Sequence, residues 1–147
     1  MTTIANVLVL GDSNVGKTSL VHCLKYNTRL ECPSSTVGIE FTTIQHNGTT
    51  YHVWDVEGLH TLSLISIDRF SYIFIVCDAA DESTTEPFLT RVAHQQALIT
   101  LVANKCDACA NRPTGYLCTS AHTGENIEQL RQLLDRSHMG DQKMRLT

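Results

Sequence analysis

The sequence predicts an α/β sandwich, a parallel-rich sheet covered by helices on both faces. Two observations carry that prediction. Strand-like runs alternate with helical ones, the order that strand–helix–strand units produce. Several strand runs, among them "IANVLVL", "SYIFIVCD" and "ALITLVANK", are almost continuously apolar. A strand without polar alternation is one buried on both faces.

Each element has its own local reason. Ile4 to Leu10, rich in β-branched residues, reads as the first buried strand. "GDSNVGKTSL" leads into "VHCLKY", where Leu20, Val21 and Leu24 recur at helical spacing. Residues 28 to 36, "TRLECPSST", are polar and contain a proline, hence a loop. "VGIEFTTIQ" and "TTYHVWDV" flank His46-Asn47-Gly48, and Asn-Gly between two β-rich runs signals a hairpin. Beyond the next buried strand, "SYIFIVCD", Pro87 opens a helix expected to run to about Gln96, with Phe88, Leu89, Val92 and Ala93 facing inward. "ALITLVANK" is a further buried strand and "YLCTS" a short last one. "TGENIEQLRQLLDRSH" is the closing helix, with Ile127, Leu130, Leu133 and Leu134 as its apolar stripe and Gly140 suited to its end. No repeat, low-complexity segment or linker interrupts the chain. One domain is expected over residues 1–139, with 140–147 as a short tail.

Bulk properties narrow the function. The chain has 147 residues, enough for one core without disulfide staples. Its net charge is -4 and it has no basic run, which disfavours binding to a nucleic-acid backbone. No apolar stretch is long enough to cross a bilayer. "MTTIANVLVL" lacks a basic leader and reads as a strand rather than a signal peptide. The six cysteines, several inside apolar runs, fit buried reduced thiols in a cytoplasmic protein better than a secreted framework. Cys106 and Cys109 form a single C-x-x-C, and one such pair is weak ground for zinc or redox chemistry.

Three motifs carry chemistry. "GDSNVGKT", Gly11 to Thr18, fits G-x-x-x-x-G-K-[ST] between a strand and a helix. Its glycines let backbone N–H groups wrap phosphates, and the helix N-terminus favours their charge. Lys17 would reach the β and γ oxygens, and the Thr18 hydroxyl would ligate Mg²⁺. "NKCD", Asn104 to Asp107, follows a buried strand. Asp107 there can accept the paired N1–H and exocyclic amine of guanine, a donor pair that adenine lacks. In "TSAH", Thr119 to His122, the Ala121 N–H would donate to guanine O6. Thr36 would bring a second hydroxyl to Mg²⁺. In "WDVEG", Asp55 would hold the metal through water and the Gly58 N–H would touch the γ-phosphate. Alone, each motif also fits a bland surface turn or polar strand end; their order along the chain does not.

On these residues the chain resembles a Ras-superfamily small GTPase. "GDSNVGKTSL", "STVGIEF" and "SAHTGENIEQL" look most like the Rab branch. The resemblance runs from Ile4 to about His138. It implies a P-loop sandwich with a six-stranded, mostly parallel sheet, and GTP or GDP with Mg²⁺ as ligands. It makes Ser13, Asn14, Val15, Gly16, Lys17, Thr18 and Ser19 the phosphate loop, and residues around Thr36 the first switch. Asp55 to Gly58 open the second switch. Asn104, Lys105, Asp107, Ser120, Ala121 and His122 become the guanine site, and Thr18, Thr36 and Asp55 the metal set. An effector would meet the switch regions near Val37 to Phe41, with an exchange factor or a larger protein complex as further partners.

The departures matter as much. The family's second switch usually reads D-T-A-G-Q, and its Gln orients the attacking water. Here the stretch is Asp55-Val56-Glu57-Gly58-Leu59, and Leu59 offers neither donor nor acceptor. His60 or Glu57 would have to rescue the step. The family's aromatic stack on guanine is replaced by Arg29 or Leu30, and its usual Lys by His122. Asn104 and Ser120 are 16 positions apart, roughly half the family's separation. The helix between the last two strands should therefore be missing, replaced by an extended surface loop that leaves one sheet flank less covered. The ending "GDQKMRLT" has no cysteine and residue 2 is Thr, so no lipid anchor is expected in this chain and membranes would be reached through a partner, unless the sequence is truncated. The leading expectation is a guanine-nucleotide switch or scaffold with impaired hydrolysis, in trafficking or signalling. A pseudo-GTPase interaction module is the alternative.

Overall fold

A computed structural model describes residues 3–31 and 38–135. Thr36, Val37, Cys32, the helix end at Gly140 and the tail lie outside the described residues. The elements are β1 (Thr3–Gly11), α1 (Lys17–Tyr26), β2 (Ile39–His46), β3 (Thr49–Glu57), α2 (Gly58–Leu62), β4 (Tyr72–Asp78), α3 (Glu86–Val92), β5 (Leu98–Asn104) and β6 (Leu117–Cys118). A last helix, α4, covers 127–135. The six strands form one sheet in the order β2-β3-β1-β4-β5-β6. Only β2 runs antiparallel to its neighbour. This is the six-stranded, mostly parallel sandwich that the motifs imply.

The apolar runs are apolar because two cores need them. Side chains alternate across a strand. Val7 and Val9 therefore meet Leu20, Val21 and Leu24 of α1 and Ile127, Leu130 and Leu134 of α4. Leu8 and Leu10, one position over, meet Leu62 of α2 and Phe88 and Val92 of α3. Cys23, Cys77 and Cys106 are buried, as small apolar side chains would be. Burial pushes the Cys77 thiol up to about 12 and that of Cys106 to about 11.

The hairpin forms where Asn-Gly stands. His46 pairs with Thr49, and Asn47 (φ 50°) and Gly48 (φ 80°) adopt the left-handed pair that a tight two-residue turn demands. Its tip is clasped to α4: Asp135 accepts hydrogen bonds from Asn47 Nδ2 at 2.7 Å and from Tyr51 Oη at 2.8 Å. His46 Nε2 lies 3.1 Å from the same carboxylate.

Two expectations change. α3 ends at Val92, short of Gln96, and Ala93 is exposed rather than inward. The chain must return to the sheet at once: Gln95 N–H closes a turn on Val92 O, and Leu98 N–H donates to Ser71 O. The segment between β5 and β6 holds no α-helix, as its length implies, but it is not fully extended. It opens with a 3-10 turn, Cys106–Ala108. It is then pinned by Tyr116 Oη, 2.7 Å from Thr85 Oγ1, and by Arg112 on Glu125. Cys109, Tyr116 and Cys118 pack on Cys77, Ala79 and Ala103, so this loop covers part of the flank itself. Beside it Ile99 and Leu101 stay half-buried.

Removing the clasp should register in stability. Asp135→Ala strands the buried Tyr51 hydroxyl, and urea unfolding should show a loss of about 1–3 kcal/mol. Tyr51→Phe, which leaves no orphaned hydroxyl, should cost less. Equal stability of Asp135→Ala and the parent chain would show that the clasp contributes nothing.

Candidate functional site

Parallel strands bring their C-terminal ends to one edge, and the candidate residues gather there. The β1–β3 register pairs Val9 with Asp55 and Gly11 with Glu57. The β4–β5 register pairs Asp78 with Asn104. The loop from Gly11 to Gly16 rises beside them and turns into α1.

Two glycines in that loop are dictated by close approach. A Cβ on Gly11 would stand 2.4 Å from Val76 O. One on Gly16 would stand 2.5 Å from Asn104 Nδ2, and Gly16 also has φ +88°. Ser13 and Asn14 are exposed at the loop's tip, whereas Val15 is buried. Lys17 is 5% exposed and donates from Nζ to Asp12 O at 2.8 Å. Burial lowers its pKa, against the pull of Asp55, Glu57 and Asp12. A cation held at the mouth of a helix N-terminus suits an anion.

Thr18 and Asp55 meet. Thr18 Oγ1 donates to Asp55 Oδ2 at 2.9 Å. Asp55 is 3% exposed, and its Oδ1 is buried with no hydrogen-bond partner among the described residues. Burial pushes the carboxyl above its usual range, while the Thr18 bond and Lys17 oppose that shift. A buried, half-satisfied carboxylate beside a hydroxyl is a donor set that suits a hard divalent cation.

A cavity of about 170 Å³ opens between Gly16, Ser19, Arg29, Leu30, Asn104, Lys105, Asp107, Ala121 and His122. Asp107 is exposed, with Oδ1 fixed by the buried Ser120 hydroxyl at 2.7 Å. Lys105, in a left-handed conformation (φ 64°), runs along the phosphate loop and donates to Asn14 O. Asn104 is 2% exposed and lines this cavity. Its Nδ2 donates to Val15 O at 3.1 Å. Its Oδ1 accepts from Thr119 Oγ1 at 3.1 Å and from Ala121 N–H at 3.3 Å. It ties two loops together at the edge of the cavity that it helps to line. Thr119, fully buried, is the partner that motif reading passed over. Its signal was its place, first in "TSAH" directly after β6.

The second-switch residues sit apart from the cavity. Gly58 (φ +81°) starts α2 directly. Leu59 is half-buried and packs on the core that holds Val56 and Leu62. His60 is exposed, its carbonyl receiving Ser63. Glu57 is held by its N–H on Gly38 O at 3.0 Å.

Asn104→Ala would strand a carbonyl, a hydroxyl and an N–H in the interior. Urea unfolding should show a loss of about 2–4 kcal/mol. A loss below about 1 kcal/mol would mean that the two loops stand without their tie.

Comparison with known proteins agrees with this geometry. A family model, Roc (Ras of Complex, Roc, domain of DAPkinase), matches residues 6–107. The chain is 29% identical to Ras-related protein RIC1 of Oryza sativa subsp. japonica, over 84% of this chain and 74% of that one. It is 27% identical to Ras-related protein Rab-19 of Bos taurus, over 90% and 74%. A shorter stretch of 61 residues, 35% of this chain and 26% of the relative, is 51% identical to Rab-like protein 3 of Mus musculus. With phosphate loop, sheet order and strand-end site in place, the chain belongs to the Roc/Ras-like GTPase family, as a divergent Rab-like small GTPase.

Proposed function

We propose that this chain is a guanine-nucleotide-binding switch or scaffold whose own GTP hydrolysis is impaired. The observation that carries the reading is Leu59, an apolar side chain packed half-buried against the core directly after Gly58. Lys17 and the start of α1 hold the phosphates. Thr18 and Asp55, with Thr36, hold Mg²⁺, which when bound neutralises charge on the β and γ oxygens. The unpartnered Asp55 Oδ1 fits that role. Asp107 reads the guanine edge with the oxygen that Ser120 leaves open. Gly58 offers its N–H to the γ-phosphate.

Nothing at position 59 can orient water. His60, the nearest polar side chain along the chain, points into solvent from α2. A slow chemical step would leave the protein mostly in its GTP form where GTP prevails. The effector face is then the outer side of the hairpin. Phe41, 48% exposed, meets Trp54 at 4.9 Å between ring centroids, and Trp54 meets Phe70 at 6.4 Å. No helix among the described residues is long and apolar enough to cross a membrane, so the resemblance to Rab proteins suggests recruitment by a partner in trafficking or signalling.

Single-turnover hydrolysis tests the reading. Leu59→Gln should turn over GTP at least about tenfold faster than the parent chain, the scale of one well-placed water-orienting group. His60→Ala should leave the parent rate unchanged. A parent rate equal to that of Leu59→Gln would overturn the proposal, and a loss in His60→Ala would pass the role to His60. Binding of GTP with no turnover in either version would favour the pure interaction module, which Arg29 and Leu30 in place of the family's aromatic also favour.

The metal reading predicts a pH dependence. The Asp55 carboxyl is raised in the metal-free fold, so the folded state there binds its proton more tightly than the unfolded chain does. Metal-free stability should fall as pH rises from the ordinary carboxylate range through that raised value. Mg²⁺ needs the carboxylate, so its affinity should weaken as pH drops through the same window. Asp55→Asn should flatten both profiles in thermal melts at varied pH and Mg²⁺. Profiles unchanged by that substitution would remove Asp55 from the metal set.

A further inference from the structure

Arg131 is unexplained by the contacts above. It lies on α4, four positions after Ile127 and three before Leu134, within the apolar stripe. It is 7% exposed. A guanidinium is buried at a cost unless its donors are filled. Here they are. Nε and Nη2 both donate to Leu24 O, at 3.2 and 2.9 Å. Nη2 also donates to Asn27 Oδ1 at 2.7 Å. Nη1 pairs with Glu128, which reaches out to solvent.

The acceptors are informative. Leu24 O belongs to the last turn of α1, whose carbonyls lack intrahelical partners. Asn27 ends that helix in a left-handed conformation (φ 60°), its N–H on Cys23 O at 2.8 Å. The chain continues at once into Thr28, Arg29 and Leu30, and the last two wall the base cavity. The opposite wall, Ala121 and His122, comes from the loop that runs into α4. One wall thus hangs from the C-terminal end of α1 and the other from the N-terminal side of α4. Arg131 joins the two helices.

We infer that Arg131 is a positioning residue for the base cavity. Through Asn27 it sets the strap of residues 28–31 against the face of a bound purine, where no Phe, Tyr or Trp among the described residues lines the cavity. The inference rests on the guanine-nucleotide reading of that cavity. Arg131 touches no cavity atom, so it governs how long the base stays and not which base is chosen. A Lys cannot replace it, because one ammonium does not span a carbonyl and an amide oxygen in the same fork.

The test uses Asn27, which is exposed and can change without disturbing the core. Asn27→Gly keeps the left-handed backbone and deletes the acceptor; Asn27→Asp keeps an acceptor for the guanidinium. Release of fluorescent GDP and IDP would be measured for both, beside hydrogen exchange along the chain. Asn27→Gly should speed release of both nucleotides by the same factor, about tenfold for a charge-assisted bond. Exchange should rise at residues 28–31 and not elsewhere. Asn27→Asp should stay near the parent rate. Arg131→Gln should match Asn27→Gly, and the double variant should add nothing. Unchanged release in Asn27→Gly, or exchange raised across the whole chain, would overturn the inference. A parent chain that binds neither nucleotide would overturn the guanine reading itself.

Discussion

The site depends on one buried amide. Asn104 stands at the end of β5 with its donor turned to the phosphate loop and its acceptor to the loop before α4. Each loop alone would be a flexible surface turn. Joined through a side chain only 2% exposed, they are held to each other across the cavity between them. The same amide explains why residue 16 is glycine: the backbone must pass so close to Asn104 that no Cβ fits between. The glycine therefore serves the fold as well as any phosphate. Loss of a buried, fully used amide is costly because every partner it leaves behind is also buried.

The sheet supplies the platform on which that tie works. Because β1, β3, β4 and β5 run parallel, their C-terminal ends meet at one edge. The register pairing Val9 with Asp55 sets the carboxylate beside the start of the phosphate loop, and Thr18 closes the gap from α1. The antiparallel β2 departs from this scheme. It carries the chain out to the sheet edge, where Asp135 clasps its tip, Lys25 donates to Thr42 and Ile44 packs into the core.

What the sequence revealed follows from how local each cause is. The Asn-Gly hairpin, the phosphate loop and the apolar strands depend on conformational preferences within a few residues, and they stand where the residues place them. The missing helix was legible too, since the segment is too short to hold one. The end of α3 was not, because the pull back to Ser71 that stops it comes from the residue leading into β4, distant along the chain. Asn104 was legible as a motif residue but not as a tie, because its partners lie far away along the chain. Thr119 and Asp107 show the same split between a visible motif and invisible contacts. Arg131 left a readable sign, a charged residue inside the stripe formed by Ile127, Leu130 and Leu134. A charge there needs acceptors, and only the packing of α4 on α1 shows where they are.

Leu59 is the case where residue type and packing speak to different properties. Its type bears on chemistry, since it has no group for water. Its burial bears on motion. Leu59 is half-buried and gains only part of the roughly 1.5–3 kcal/mol of a fully buried leucine, to which the fully buried Leu62 adds its hold on α2. A ligand moves a segment only by as much as it prefers one arrangement over the other. Loss of a γ-phosphate contact at Gly58 would have to exceed that burial before α2 let go. On the proposed reading, Leu59 would weaken both the step that ends the GTP state and the leverage by which its end would be felt at α2. At the hairpin edge Ile39 and Phe41 are exposed and held by the ladder with β3, so that end of β2 buries less apolar surface than α2 and is where a change of nucleotide would have the least burial to overcome.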